Sequence, residues 1–167
     1  GEFRPSHFNG VTTVVAKLFN LTGPCAAMFG RKDYQQWKIL SRLALDLDMP
    51  IEVVGCPIVR EPDGLALSSR NRYLSASERE LALGIVSGLR RACDAWTEGE
   101  RSSEMLRSLA GEQVRSEFDR VDYVAAVDPD TLLTAVAQPT RLLIAVAAHL
   151  GTTRLIDNVV LGEDPRP

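Results

Sequence analysis

The sequence predicts an α/β protein in which part of a parallel sheet is followed by a smaller α+β domain. Three observations carry this. Between residues 7 and 55, helical periodicity alternates with short apolar runs, the pattern of βα units. Between residues 57 and 73 the periodicity lapses into a stretch holding Pro57, Pro62, Gly64 and several charges. Beyond it come two long amphipathic stretches and then three apolar runs, so helices and strands are segregated. Residues 1–57 are therefore assigned to one domain and residues 58–167 to another.

The elements follow in order. Val11, Val14, Val15, Leu18 and Phe19 recur at helical spacing, which predicts a helix over 7–20 with Ser6 available as its N-cap. Gly23-Pro24 breaks it. The apolar run from Cys25 to Phe29 reads as a buried strand ending at Gly30. Trp37, Leu40, Leu43, Ala44 and Leu47 predict a helix over 34–47, and Ile51 to Gly55 a second strand. In the second domain, Ser75-Ala76-Ser77-Glu78 has the form of a capping box. It opens a helix reaching to about Trp96, with Leu81, Ile85, Leu89 and Cys93 at steps of four. Leu106, Ala110, Val114 and Phe118 predict a helix over 103–118. Strands over 123–127, 141–148 and 153–161 follow, and the short linker at Gly151 predicts that the last two form an antiparallel hairpin.

The totals narrow the function classes. The chain has 167 residues, 45% hydrophobic and 25% charged, with a net charge of -3, which is ordinary globular composition. Nucleic-acid binders show a basic stripe, and no basic run here exceeds Arg90-Arg91, so a nucleic-acid partner is not expected. Cys25, Cys56 and Cys93 are odd in number and widely spaced. That argues against a disulfide framework or a zinc site and for a reduced, cytoplasmic protein. Cys25 and Cys56 lie in apolar runs and are expected as buried, inert thiols. No apolar run approaches the ~18 residues of a membrane span, and the first residues do not have the pattern of a signal peptide. The chain starts with Gly1 rather than methionine, so a fragment or processed product is expected.

Three clusters could carry chemistry. Arg4-Pro5-Ser6-His7 precedes the first helix, where an Arg and a His could meet an anion; the residue types alone favour the alternative, a capped helix start with a surface Arg and His. Gly30-Arg31-Lys32-Asp33, with Gln36 one turn on, follows a predicted strand, and open parallel sheets bind ligands at the C-terminal ends of their strands. There Lys32 offers a point charge for phosphate, Asp33 an acceptor for ribose hydroxyls or a cap for the next helix, and Gln36 both donors and an acceptor for a hydroxy acid. The spacing is not that of a Walker A loop. Asp63-Gly64-Leu65-Ala66-Leu67-Ser68-Ser69-Arg70-Asn71-Arg72-Tyr73 presents two hydroxyls and an Arg in a Gly-bearing loop, which suits a clamp on a polyphosphate or a polar interdomain linker.

Together the stretches RPSHFNGVTTVVAKLFN, FGRKDYQQ, DGLALSSRNRYLS and LGTTRLIDN resemble the pantothenate synthetase family, in its order and at its spacings, from Arg4 to Asn158. The resemblance is to the C-terminal part of the family. It implies a Rossmann-like domain, here represented by its C-terminal half, followed by a small lid domain. It implies an ATP-dependent ligase that makes pantoyl adenylate and pyrophosphate from pantoate and ATP, then pantothenate and AMP on attack by β-alanine. ATP with Mg2+, cytoplasmic location and a homodimer come with the resemblance. Carried onto matching positions, Gly30, Arg31, Lys32, Asp33, Val59, Leu67, Ser68, Ser69 and Arg70 line the ATP site. Lys32, Ser68, Ser69 and Arg70 act on the phosphates, Gln36 binds pantoate, and Arg4 and His7 lie at the cavity edge.

Two departures stand out. The family usually has Glu where Arg31 stands. Its His-x-Gly-His motif is absent, the histidines being His7 and His149 alone. The chain is therefore expected to be a truncated piece, inactive alone; the alternative is a non-catalytic lid or dimerisation fragment.

Overall fold

The computed structural model describes residues 6–167. The chain divides into two compact units, Gly1–Ile58 and Val59–Pro167.

The first unit alternates helix and strand: α1 (His7–Thr22), β1 (Cys25–Gly30), a 3-10 turn (Arg31–Asp33), α2 (Tyr34–Asp46) and β2 (Ile51–Cys56). The two strands pair in parallel from Cys25↔Ile51 to Gly30↔Cys56. A parallel pair needs a crossover, and α2 supplies it, packing against both strands and against α1. Its inward positions Leu40 and Ala44 are buried, and Phe19 of α1 is buried with its ring edge-on to Phe29 at 6.3 Å.

Three local expectations fail here. Ser6 and Asp33 occupy the N-cap positions of α1 and α2, yet neither side chain caps its helix. A capping side chain reaches the second or third helical amide from an extended backbone. Ser6 instead has helical angles, and Asp33 closes a 3-10 turn that already leads into the helix. Cys25, expected buried, is exposed on β1, where Met28 is also 67% exposed. Cys56 is half-buried, and Cys93 is the buried thiol, with desolvation pushing its pKa up to about 11.

The second unit holds a 3-10 turn (Ser69–Tyr73), α3 (Ala76–Thr97), α4 (Ser103–Glu117), β3 (Arg120–Val127), β4 (Leu142–Leu150) and β5 (Thr153–Leu161). The sheet order is β3-β4-β5, antiparallel throughout, with a bulge between Val121 and Tyr123. Ile85, Leu89, Leu106, Val114, Leu142, Ile144, Val146, Val159 and Leu161 form the core between helices and sheet. The capping box forms as expected: Ser75 Oγ accepts from the Glu78 amide, and Glu78 accepts from the Ser75 amide at 2.8 Å. Where α3 crosses α4, a side chain at Gly88 would collide with the Ala110 carbonyl; the missing Cβ sets the close approach.

Candidate functional site

The Gly30–Asp33 segment leaves the C-terminal end of β1 and turns at once into α2. Gly30 has ordinary extended angles, so its backbone does not demand glycine. A side chain added there would meet nothing within 4 Å, which leaves the backbone open to an approaching ligand. Lys32 is half-buried, Asp33 exposed and Gln36 half-buried one turn into α2. Since the Asp33 carboxylate makes no helix cap, it is available as an acceptor. His7 begins α1, half-buried, its ring 5.2 Å from that of Phe8. Arg4 lies outside the described residues.

In the second unit, the stretch expected as an irregular loop is a short hairpin. The Leu67 amide donates to the Val59 carbonyl and the Glu61 amide to the Leu65 carbonyl, both at 2.9 Å, around the Arg60↔Ala66 bridge. The turn is Glu61-Pro62-Asp63-Gly64, with the Gly64 amide donating back to the Glu61 carbonyl at 2.8 Å. Gly64 has φ +97, where other residues are strained, and a Cβ there would lie 2.5 Å from Arg90 Nη2.

Beyond the buried Ala66 the chain makes a short outward excursion. Leu67, Ser69 and Arg70 are exposed and Ser68 is half-buried. Ser68 Oγ accepts from the Arg70 amide at 3.2 Å, which leaves its O–H to donate outward. Asn71 ends the excursion: its Nδ2 donates to Glu61 Oε1 at 2.6 Å and to the Ala66 carbonyl at 3.1 Å. Val59 and Leu67 are exposed apolar side chains at facing hairpin positions.

A charged frame supports this hairpin, and the motif reading passed over it. Arg79 of α3 donates to Glu61 at 2.8 Å and to Asp63 at 2.5 Å. Hydrogen bonds from Arg79 and then Asn71 hold the Glu61 carboxyl below its ordinary range. The Leu65 amide, with help from Arg79, does the same for Asp63. Deeper, the Arg60 guanidinium grips Asp157 of β5 at 2.6 and 3.0 Å, while its Nη1 also donates to the Gly64 carbonyl at 3.0 Å. The Asp157 side chain is 3% exposed and that of Arg60 17%. One sequence signal could have pointed there: Asp157 lies between Leu155-Ile156 and Val159-Val160 of one strand, and a buried carboxylate requires a partner.

Among the described residues no three His, Cys, Asp or Glu side chains gather to hold a metal ion, and no helix is long and apolar enough to cross a membrane.

The sequence and the fold both have relatives among known proteins. The family model for pantoate–β-alanine ligase matches residues 1–160. Pantothenate synthetase of Geotalea uraniireducens is 52% identical over 165 residues, covering 98% of this chain and 58% of that protein. That of Anaeromyxobacter dehalogenans is 54% identical over 159 residues, covering 95% and 55%. The crystal structure of pantothenate synthetase from Thermus thermophilus superposes with a TM-score of 0.89 at 45% identity, covering 95% of this chain and 58% of that one. A pantoate–β-alanine ligase from Francisella tularensis, complexed with β,γ-ATP and β-alanine, superposes at 0.68 with 30% identity, covering 100% and 55%. This chain thus spans somewhat more than half the length of the relatives it matches. On the family match over residues 1–160, the chain belongs to the pantoate–β-alanine ligase family.

Proposed function

We propose that this chain supplies part of an ATP-dependent ligase joining pantoate to β-alanine. Residues 1–57 would serve as part of a Rossmann-like nucleotide-binding domain and residues 58–167 as the lid. The observation that carries the reading is the pairing of an open Gly30 backbone beside Lys32 with an excursion that presents Ser68, Ser69 and Arg70 outward. Both segments offer donors and positive charge, the requirement for polyphosphate.

In the first step a pantoate carboxylate oxygen attacks the α-phosphorus of ATP, and the bond to the pyrophosphate oxygen breaks. Negative charge gathers on the phosphates, so catalysis is mostly positioning and charge stabilisation. Lys32 and Arg70 supply charge, while Ser68 and Ser69 supply O–H donors. Asp33 accepts from the ribose hydroxyls, with Gly30 and Arg31 beside it. Val59 meets the adenine through its backbone, its carbonyl having a second lone pair beyond the one used by the Leu67 amide, and Leu67 opens the phosphate-gripping loop. Gln36 holds pantoate, with His7 at the cavity edge. In the second step the β-alanine amine attacks the acyl carbon, the bond to the AMP oxygen breaks, and the amine loses a proton. Mg2+ would accompany the ATP phosphates rather than protein ligands and offset part of their charge.

The same reading makes the ligase a cytoplasmic homodimer and this chain alone inactive, because a His-x-Gly-His phosphate-binding motif is absent from its sequence. The test compares pantoate-dependent pyrophosphate exchange with single-turnover capture of the adenylate by β-alanine, in a complete ligase carrying these residues. Lys32→Ala and Arg70→Ala each depress exchange and spare capture. Loss confined to capture would reject the phosphate assignment.

A further inference from the structure

The Arg60–Asp157 pair lies beneath the excursion, and no part of the proposed reaction uses it. Arg60 makes three charge-assisted contacts. Two go to the Asp157 carboxylate and one crosses its own hairpin to the Gly64 carbonyl. One guanidinium therefore ties the turn of the hairpin to β5. Asp157 is fixed independently: its Oδ1 also accepts from the Asn158 amide at 2.8 Å, and its backbone pairs with Val146 in the sheet.

The mechanical consequence is local. The hairpin holds its register through two backbone bonds around one bridge, Glu61 to Leu65 and Leu67 to Val59. A two-stranded hairpin of this length is marginal by itself. What stops it sliding is its tip, held to the sheet by Arg60, and its edge, held to α3 by Arg79. A slide by one residue would turn every side chain on the return strand over. Leu65 would leave the core, and Leu67 with Ser68 would leave with the wrong face outward. Asn71 transmits the same constraint from the other side, because both its donated bonds end on this hairpin, at Glu61 and Ala66.

We propose that Arg60, through Asp157 and the Gly64 carbonyl, is a positioning residue for the Ser68–Arg70 segment, fixing the register in which that segment faces a polyphosphate. This rests on the phosphate reading given above. A lysine at position 60 would keep the charge but not the fork, since an ammonium is a compact point charge and lacks the planar, multi-donor guanidinium.

The test uses this chain with inorganic tripolyphosphate as the probe, read from the Ser69 and Arg70 amides in nitrogen-15 spectra. Arg60→Lys and Asp157→Asn are compared with wild type and with Arg141→Lys, a control in an exposed pair. Signals from Leu89 and Ile144 report whether the core remains folded. The expected result is that Arg60→Lys, with its core signals unmoved, weakens tripolyphosphate about tenfold, the effect of one charge-assisted hydrogen bond, while Arg141→Lys binds as wild type does. A folded Arg60→Lys protein with wild-type affinity overturns the proposal. Hydrogen exchange at the Leu67 amide separates the two layers of the argument. Faster exchange in Arg60→Lys, relative to Leu106, combined with no tripolyphosphate binding in wild type, rejects the phosphate reading and leaves Arg60 a purely structural clamp. Unchanged exchange at Leu67 rejects the positioning role itself.

Discussion

The Arg60 guanidinium straddles Asp157 across 97 residues of sequence, with Nη1 2.6 Å from one carboxylate oxygen and Nη2 3.0 Å from the other. Removing one partner of such a pair leaves a buried charge uncompensated, which costs roughly 3–5 kcal/mol. Asp157→Ala is therefore expected to destabilise the second unit by that amount in urea denaturation. Arg42→Ala, which breaks the exposed Arg42–Asp46 pair of α2, is expected to leave the unfolding midpoint unchanged. Equal effects from the two substitutions would contradict the account.

Acid should loosen the hairpin frame. Glu61 and Asp63 both have folded pKa values below their ordinary ones. A carboxylate with a depressed folded value stabilises above its unfolded pKa, about 4 for these residue types. That contribution is lost as pH falls through the folded value. Stability of the second unit should thus decline below about pH 4, and Glu61→Gln should shrink the decline while lowering stability at neutral pH. An acid profile unaltered by Glu61→Gln would show that the frame contributes nothing to it.

The crossing of α3 and α4 leaves no room for a methyl group at Gly88, because the obstacle is the Ala110 backbone carbonyl rather than a flexible side chain. Gly88→Ala is expected to cost about 1–3 kcal/mol as the helices are forced apart, despite the better helix propensity of alanine. Gly10→Ala on α1, where the added methyl meets nothing within 4 Å, is the control and should be neutral or slightly stabilising. Thermal unfolding of both variants decides this.

Much of this was legible where the signal is local. The Ser75–Glu78 capping box depends on four consecutive residues, and β5 on the local run from Thr153 to Leu161; both form as read. The parallel pairing of β1 and β2 followed from the helix between them. What was not legible depends on distant residues or on backbone angles. Ser6 and Asp33 are good capping types whose backbone forbids the cap. Strand β3 begins at Arg120 rather than Tyr123, because a bulge hides its first residues from period-two alternation. The Val59–Leu67 hairpin escaped notice because it rests on two ladder bonds, with its stability supplied by Arg79 and Asp157. Of the candidate site, the residue types in Gly30–Asp33 and Leu67–Arg70 were readable, while the frame that presents the second segment was not.

The proposed function assigns ATP contacts to Gly30–Asp33 and to Leu67–Arg70, and titrating this chain with ATP while following its backbone amides tests it most directly. The account predicts shifts at Gly30 to Asp33 and at Leu67 to Arg70 that saturate together, and that Lys32→Ala or Arg70→Ala weakens at both segments. ATP-induced shifts confined to other residues, or shifts at the two segments that saturate at different concentrations, would contradict it.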